Sequence, residues 1–197
     1  MAVGGAPGRP TREVCLRLLK EWGVPPHIRR HSERVAQVSR ALGTWLADLG
    51  GERLDVALLE SAALLHDLAK ARCLGSRRDH AREGAQILLG LGYPEVADVV
   101  GQHVELRGFR QEGPVTEAEV LNYSDKRVRH EDVVSLEERF LDLLERYGRG
   151  NPEVERRIRS NWALTEDLER KLFARLPFGP ERILELAARR EPDGGRA

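Results

Sequence analysis

An imidazole and a carboxylate stand side by side at His66 and Asp67, near the end of a segment, Leu54 to Arg72, that is apolar nearly all the way round. A stretch with no broad polar face belongs in the middle of a helical protein. An ionised carboxylate in such a place costs on the order of several kcal/mol unless something positive sits beside it. A metal ion is one such partner. An arginine is another, in which case His66 is an ordinary hydrogen-bonded core residue, and the other ionisable residues have to decide between the two.

Apolar periodicity puts four more of them on buried faces. His31 heads the stripe Val35, Val38, Leu42, Trp45, Leu49, and His80 begins one with Gly84, Ile87 and Leu91. His103 ends a stripe with Val96 and Val99 or Val100, and Asp125 lies four after Leu121 and three before Val128. A single histidine on an apolar face is more often a satisfied core residue than a ligand. Five helices each turning a ligand-type side chain toward one interior is a coincidence that independent salt bridges do not produce. Imidazole nitrogen and carboxylate oxygen suit divalent first-row metals, and no nearby thiolates suggest a structural zinc site. Four histidines and two aspartates exceed what one catalytic ion needs. Two ions about 3.5–4 Å apart, bridged by one carboxylate, would use them all. Asp67 is the natural bridge, with His31, His66 and Asp125 completing one site and His80 and His103 the other.

The elements that must position these residues are helices. No window sustains period-2 alternation, while period-3.6 patterns recur with helix punctuation between them. The punctuation predicts helices from Thr11 to Trp22, from Pro25-Pro26 to about Leu49, and through the apolar segment itself. Further helices are predicted from Asp79 to Leu91, from Pro94 to near Glu105, and from the capping box at Thr116-Glu119 to about Val128. The last three span about 133–147, 152–175 and 180–190. The expectation is one all-α domain: a metal-binding helical core over residues 11–130, C-terminal helices over 131–190 packed on it, and flexible tails at 1–10 and 191–197.

Composition narrows the function classes. With 197 residues the chain can bury one real core, and 32 basic against 32 acidic residues give no overall pull on nucleic acid or anionic membranes. Cys15 and Cys73 form no CxxC motif, which fits a reducing cytoplasm. No apolar run reads as a signal peptide or a membrane span.

The order His31, His66-Asp67, His80, His103, Asp125, with the segments HDLAK and HAREGAQILLGLG, resembles the HD-domain superfamily of metal-dependent phosphohydrolases, specifically its two-metal, HDIG-like subgroup. The likeness covers about residues 27–130. It implies an all-helical bundle and hydrolysis of a phosphate ester or anhydride in a small, nucleotide-like substrate by hydroxide at a dinuclear site. The cofactors it implies are two divalent ions, iron or manganese first, with nickel, cobalt, zinc and magnesium as alternatives. Val104 follows His103, where some members carry a second adjacent histidine, which speaks against a cyclic-di-GMP phosphodiesterase. The same superfamily leaves open a di-iron oxygenase, or a non-catalytic domain that senses a nucleotide or metal.

Phosphoryl transfer also needs a cationic cradle. Lys70, one turn beyond His66, is the first candidate for touching phosphate, and it could equally serve as a partner of Asp67. Arg127, close after Asp125, is the second candidate. Arg72, Arg77 and Arg78 could edge the pocket. Lys126, Arg129 and His130 read as a solvated basic helix end, from which His130 could protonate a leaving group. Asp67, Lys70 and His130 are thus the expected catalytic residues, and Lys70, Arg127 and Arg78 the expected substrate contacts. Glu105 could reach water or a base edge. Stripes such as Leu136, Phe140, Leu143 and Leu168, Leu172, Leu176 in the C-terminal third serve to cover the bundle or to form a homodimer contact.

Overall fold

The computed structural model describes residues 9–76 and 78–188. The chain runs through α1 (Arg12–Glu21), α2 (Pro26–Asp48), α3 (Val56–Leu65), α4 (Lys70–Cys73), α5 (His80–Gly90), α6 (Pro94–Val100) and α7 (Glu117–Lys126). A two-stranded hairpin, β1 (Val128–Arg129) and β2 (Asp132–Val133), leads to α8 (Leu136–Leu143), which ends in a π-helical turn through Gly148. Then follow α9 (Pro152–Phe173) and α10 (Glu181–Leu184), the latter trailing a 3-10 turn to Ala188. No described helix is long and apolar enough to cross a membrane.

The apolar segment is central, as its pattern requires. Leu59, Ala62, Ala63, Leu64 and Leu65 of α3 are fully buried, and α1, α2, α6 and α7 all pack on it. Truncating Leu59 or Leu65 to alanine should therefore cost about 2–5 kcal/mol. The contact with α2 is close because position 43 is glycine: a Cβ there would come within 2.6 Å of Leu59 Cδ2. Helix starts follow their capping residues. Thr11, Asp55, Asp79, Thr116, Ser135 and Asn151 each accept a backbone N–H with the side chain.

Several expectations are corrected. The helix expected through Arg72 breaks at His66, where the backbone is closed by tighter bonds such as Leu68 N to Leu65 O and Lys70 N to Asp67 O. His66 Nδ1 donates to Ala63 O at 2.7 Å, the acceptor that an uninterrupted α-helix offers to the amide of Asp67. Helix α6 stops at Val100 rather than near Glu105, so His103 lies in the turn beyond it. The stretch 128–133 forms a hairpin in which Val128 faces Val133 and Arg129 faces Asp132. Strands of two residues are too short to leave a periodic signature. The stripes also drift at their ends: Leu49 is 56% exposed and Leu91 39%, while Leu46 and Leu88 take the buried places. Arg9 and Pro10, expected in the loose tail, are held: Arg9 pairs with Asp55 and Glu95, and Pro10 O accepts from Ser61 Oγ at 2.8 Å. Arg77 and the end expected at Arg190 lie outside the described residues.

Candidate metal centre

Five elements bring the six predicted ligands together. His31 comes from the second turn of α2, His66 and Asp67 from the break after α3, and His80 from the first position of α5. His103 comes from the turn after α6, and Asp125 from the last turn of α7. All are buried except His80, which is half-buried.

Three of the histidines are oriented in the same way. Nδ1 of His31, His66 and His103 faces the carbonyl of His130, Ala63 and Val100 at 2.8, 2.7 and 2.8 Å. A carbonyl can only accept, so each Nδ1 carries a proton and each Nε2 is turned inward. Those nitrogens meet each other and the carboxylates. His31 Nε2 is 3.1 Å from Asp125 Oδ1, and His66 Nε2 is 3.5 Å from Asp67 Oδ2 and 3.6 Å from Asp125 Oδ1. On the other oxygen of Asp67, Oδ1 lies 3.3 Å from His80 Nε2 and 3.7 Å from His103 Nε2, and those two nitrogens are 3.1 Å apart.

Whether this is an ion-pair cluster or a metal site turns on what is left unsatisfied. Asp67 does have a cationic partner, Lys70 Nζ at 2.6 Å, and Asp125 has Lys126 Nζ at 3.0 Å. Yet His66 Nε2 and Asp67 Oδ1, both fully enclosed, have no hydrogen-bond partner. Each is turned onto other ligand-type atoms of the cluster, Nε2 of His66 onto one side of Asp67 and Asp67 Oδ1 onto His80 and His103, and a cation among those atoms would satisfy it. Donor atoms that share one divalent ion at bond lengths of about 2.0–2.2 Å stand roughly 3.0–3.5 Å apart. The spacings here fit that arrangement, and two triads have ligand atoms close enough to share an ion: His31, His66 and Asp67, and Asp67, His80 and His103. The residues therefore fit a divalent metal.

The electrostatics follow from the same crowding. Burial works against charge on Asp67 and Asp125, but His66 and Lys70 around the first, and Lys126 and His31 around the second, hold both well below the usual carboxylate range. Burial pushes the His66 imidazole down, and the carboxylates of Asp67 and Asp125 more than offset it, leaving it raised to about 9. Burial together with the charges of His66 and His80 keeps His103 well below its ordinary value. With two carboxylates already matched by two lysines, any divalent ion adds uncompensated positive charge.

The other expected site residues separate. Lys70 is at the cluster, paired to Asp67 with its side chain 35% exposed. His130 is not: its exposed ring stands against Arg146 Nη2 at 3.3 Å, and the centre uses its backbone carbonyl, which orients His31. Arg127 is 2% exposed and spent on Val134 O, Tyr123, Glu169 and Pro180 O, so it has no free face for substrate. Arg78 is exposed and turned back onto Arg72 O and Glu83. Arg72 itself lies over the Trp22 ring. Lys126 is no solvated helix end; it is buried, donating to Asp125 and, at 2.8 Å, to His103 O. Asn122 Nδ2 donates to the same carbonyl at 2.9 Å. The fixing of His103 by Asn122 and Lys126 is a feature the sequence pattern did not suggest, since both read as ordinary residues of a helix. Glu105 is exposed at the edge of an open groove of about 500 Å³ that also borders Val104, Arg157, Ile158, Asn161 and Leu164.

Comparison with individual curated proteins and with solved structures gives no match. A family model described as HD domain matches residues 28–150, well over half the chain and past residue 130 to the end of the π-helical turn. That span holds all six clustered ligands, and the chain belongs to the HD-domain family.

Proposed function

We propose that the protein is a metal-dependent phosphohydrolase whose dinuclear centre cleaves a phosphate ester or anhydride of a small, nucleotide-like substrate. The observation that carries this reading is the division of Asp67: one oxygen faces His66 and the other faces His80 and His103, the disposition a carboxylate needs to bridge two ions. Ions held there supply a hydrolytic nucleophile near neutral pH and offset charge on a phosphoryl group. The chain's own part is to hold the ligands. Backbone carbonyls fix three imidazole tautomers, Asn122 and Lys126 fix the turn that carries His103, and Lys70 stands beside Asp67 with part of its length open to a ligand. The charge balance favours an anionic substrate, because the lysines already neutralise the carboxylates. The groove that starts at Val104, next to His103, mixes apolar surface with an amide, a carboxylate and two guanidiniums, which suits a base and sugar beyond the phosphoryl group.

The test is metal analysis of the purified protein combined with a phosphate-release screen over mono-, di- and dinucleotide substrates. Close to two ions per chain and metal-dependent phosphate release are the expected results. Oxygen consumption without phosphate release, or stoichiometric metal without any turnover, overturns the reading.

A further inference from the structure

The three histidines anchored through Nδ1 draw their carbonyls from different ranges. His66 is turned by Ala63 O and His103 by Val100 O, each three residues back along the same stretch of chain. His31 is turned by His130 O, 99 residues further on. The first two acceptors are in place wherever the chain makes those local turns. The third is in place only while the turn between β1 and β2 is held against α2.

That turn cannot hold itself. Its strands are two residues each, with two cross-strand pairs, and even a longer isolated hairpin is only marginally stable in water. Arg127 ties the open end, its Nε donating to Val134 O at 2.8 Å. At the turn itself the tie is Arg34, three residues after His31 and so on the same side of α2. Its Nε donates at 2.9 Å to Glu131 O, the carbonyl next after the one that His31 uses. Nη1 donates to Gln37 Oε1 at 2.5 Å and reaches Leu186 O at 3.5 Å. One guanidinium thus joins α2, the hairpin and the 3-10 turn after α10, where Leu186 is buried. Arg30 pairs with the Glu131 carboxylate at 2.6 Å, but with side chains 55% and 43% exposed such a pair holds little.

We propose that Arg34 is a positioning residue of the metal centre: by fixing the turn that carries His130 O it keeps His31 Nε2 toward Asp125, and so sets the affinity for the ion on the His31 side alone. The inference rests on the dinuclear reading above. On the other side His103 takes its support from Val100, Asn122 and Lys126. The two ions therefore depend on different parts of the chain, and the His31 side draws on Leu186, beyond the matched span 28–150.

The probe is cobalt(II), titrated into the metal-free full chain and read by visible absorption and equilibrium dialysis, with the unfolding midpoint of the metal-free chain measured beside it. Wild type should take up two ions. Arg34→Met should weaken one of them about tenfold and leave the other within about twofold, the lower end of what loss of a ligand's orienting partner costs. The weakened ion should be the one that His31→Ala loses, recognised by the same loss of absorption. Arg30→Met should bind both ions as wild type does; an equal weakening there overturns the proposal, because charge near the turn and not the bond to Glu131 O would be the cause. Wild-type affinity at both ions in Arg34→Met overturns it and leaves the phosphohydrolase reading standing. A lowered midpoint with both ions weakened alike overturns it as well, since that is what a purely structural arginine gives. Should Arg34→Met not fold, Arg34→Lys decides alone, because an ammonium has no Nε–H at that place. A loss confined to the His31-side ion then supports the proposal, and wild-type affinity at both ions overturns it. Two ions in the wild type without phosphate release overturns the phosphohydrolase reading but not the role of Arg34, which the titration reads from metal alone. A wild type that binds no cobalt overturns both.

Discussion

Two places where the described residues bury charge differ in what they leave open. Where α7 meets α9, Glu119 accepts Lys171 Nζ on both oxygens at 2.6 and 2.8 Å, and Lys171 also donates to Pro114 O at 3.0 Å. Beside it, Arg127 is consumed by two backbone carbonyls, Tyr123 and Glu169. Around Asp67 the burial is as deep, yet His66 Nε2 and Asp67 Oδ1 end on nothing. Depth and charge are therefore no mark of a site; unused valence is. A closed network locks helices together, whereas an open one has a place for something that is not protein.

The sharpest way to break that contrast is to remove the shared carboxylate. Asp67→Asn should cost at least one ion per chain and lower phosphate release by roughly a thousandfold or more, given that metal stabilisation of the transition state is worth several kcal/mol. Thermal stability of the metal-free chain should fall as well, because the ionised carboxylate is held by Lys70 and His66, and elemental analysis beside calorimetry reads the two losses separately. Full metal content in this variant would mean that Asp67 is only the salt-bridge partner of Lys70. The opposite experiment is Lys171→Met, which strands Glu119 in the interior. It should destabilise the fold by about 3–5 kcal/mol, read by denaturant unfolding, while metal per folded chain stays the same.

Removing the ions should have a smaller effect than removing Lys171. A ligand at a hundred times its dissociation constant stabilises by about 2.7 kcal/mol. For a chain of this size that shifts the melting temperature by roughly 5–10 °C. A chelator should lower the midpoint by that much in wild type and leave it unmoved in Asp67→Asn. An unchanged midpoint in wild type would put the two clusters in one class.

What the sequence discloses of all this follows the range of each signal. Helix starts at Thr11, Thr116 and Asn151 are legible because a cap is a local hydrogen bond between residues three apart. The six ligand residues are legible because each falls near an apolar stripe, although His103 reaches the centre from a turn and not from a helix. The break at His66 is hidden, since the residues that make it would be equally content in a continuous helix until the ring takes Ala63 O. Arg127 and Arg139 are hidden for a different reason. Both are arginines close to acidic residues in sequence, and only packing decides that one is tied at every nitrogen it offers while the other keeps an N–H free.

His130 gives the finest test, because it belongs to the site through its backbone and not through its ring. It sits at φ +56, the left-handed conformation that starts the two-residue turn between β1 and β2. That turn aims its carbonyl at His31 Nδ1. Alanine would be a poor probe, since it adds backbone strain of about 1–2 kcal/mol at a positive φ. Asparagine tolerates that conformation and keeps the carbonyl while deleting the imidazole. His130→Asn should hold its metal and release phosphate within about twofold of wild type. A tenfold loss of rate at full metal content would return a proton-transfer task to the ring, and with it the leaving-group role that its sequence position suggests. The same imidazole, deleted at His66, should cost metal and rate together, so the pair of variants separates a histidine used for its lone pair from one used only for the turn it makes.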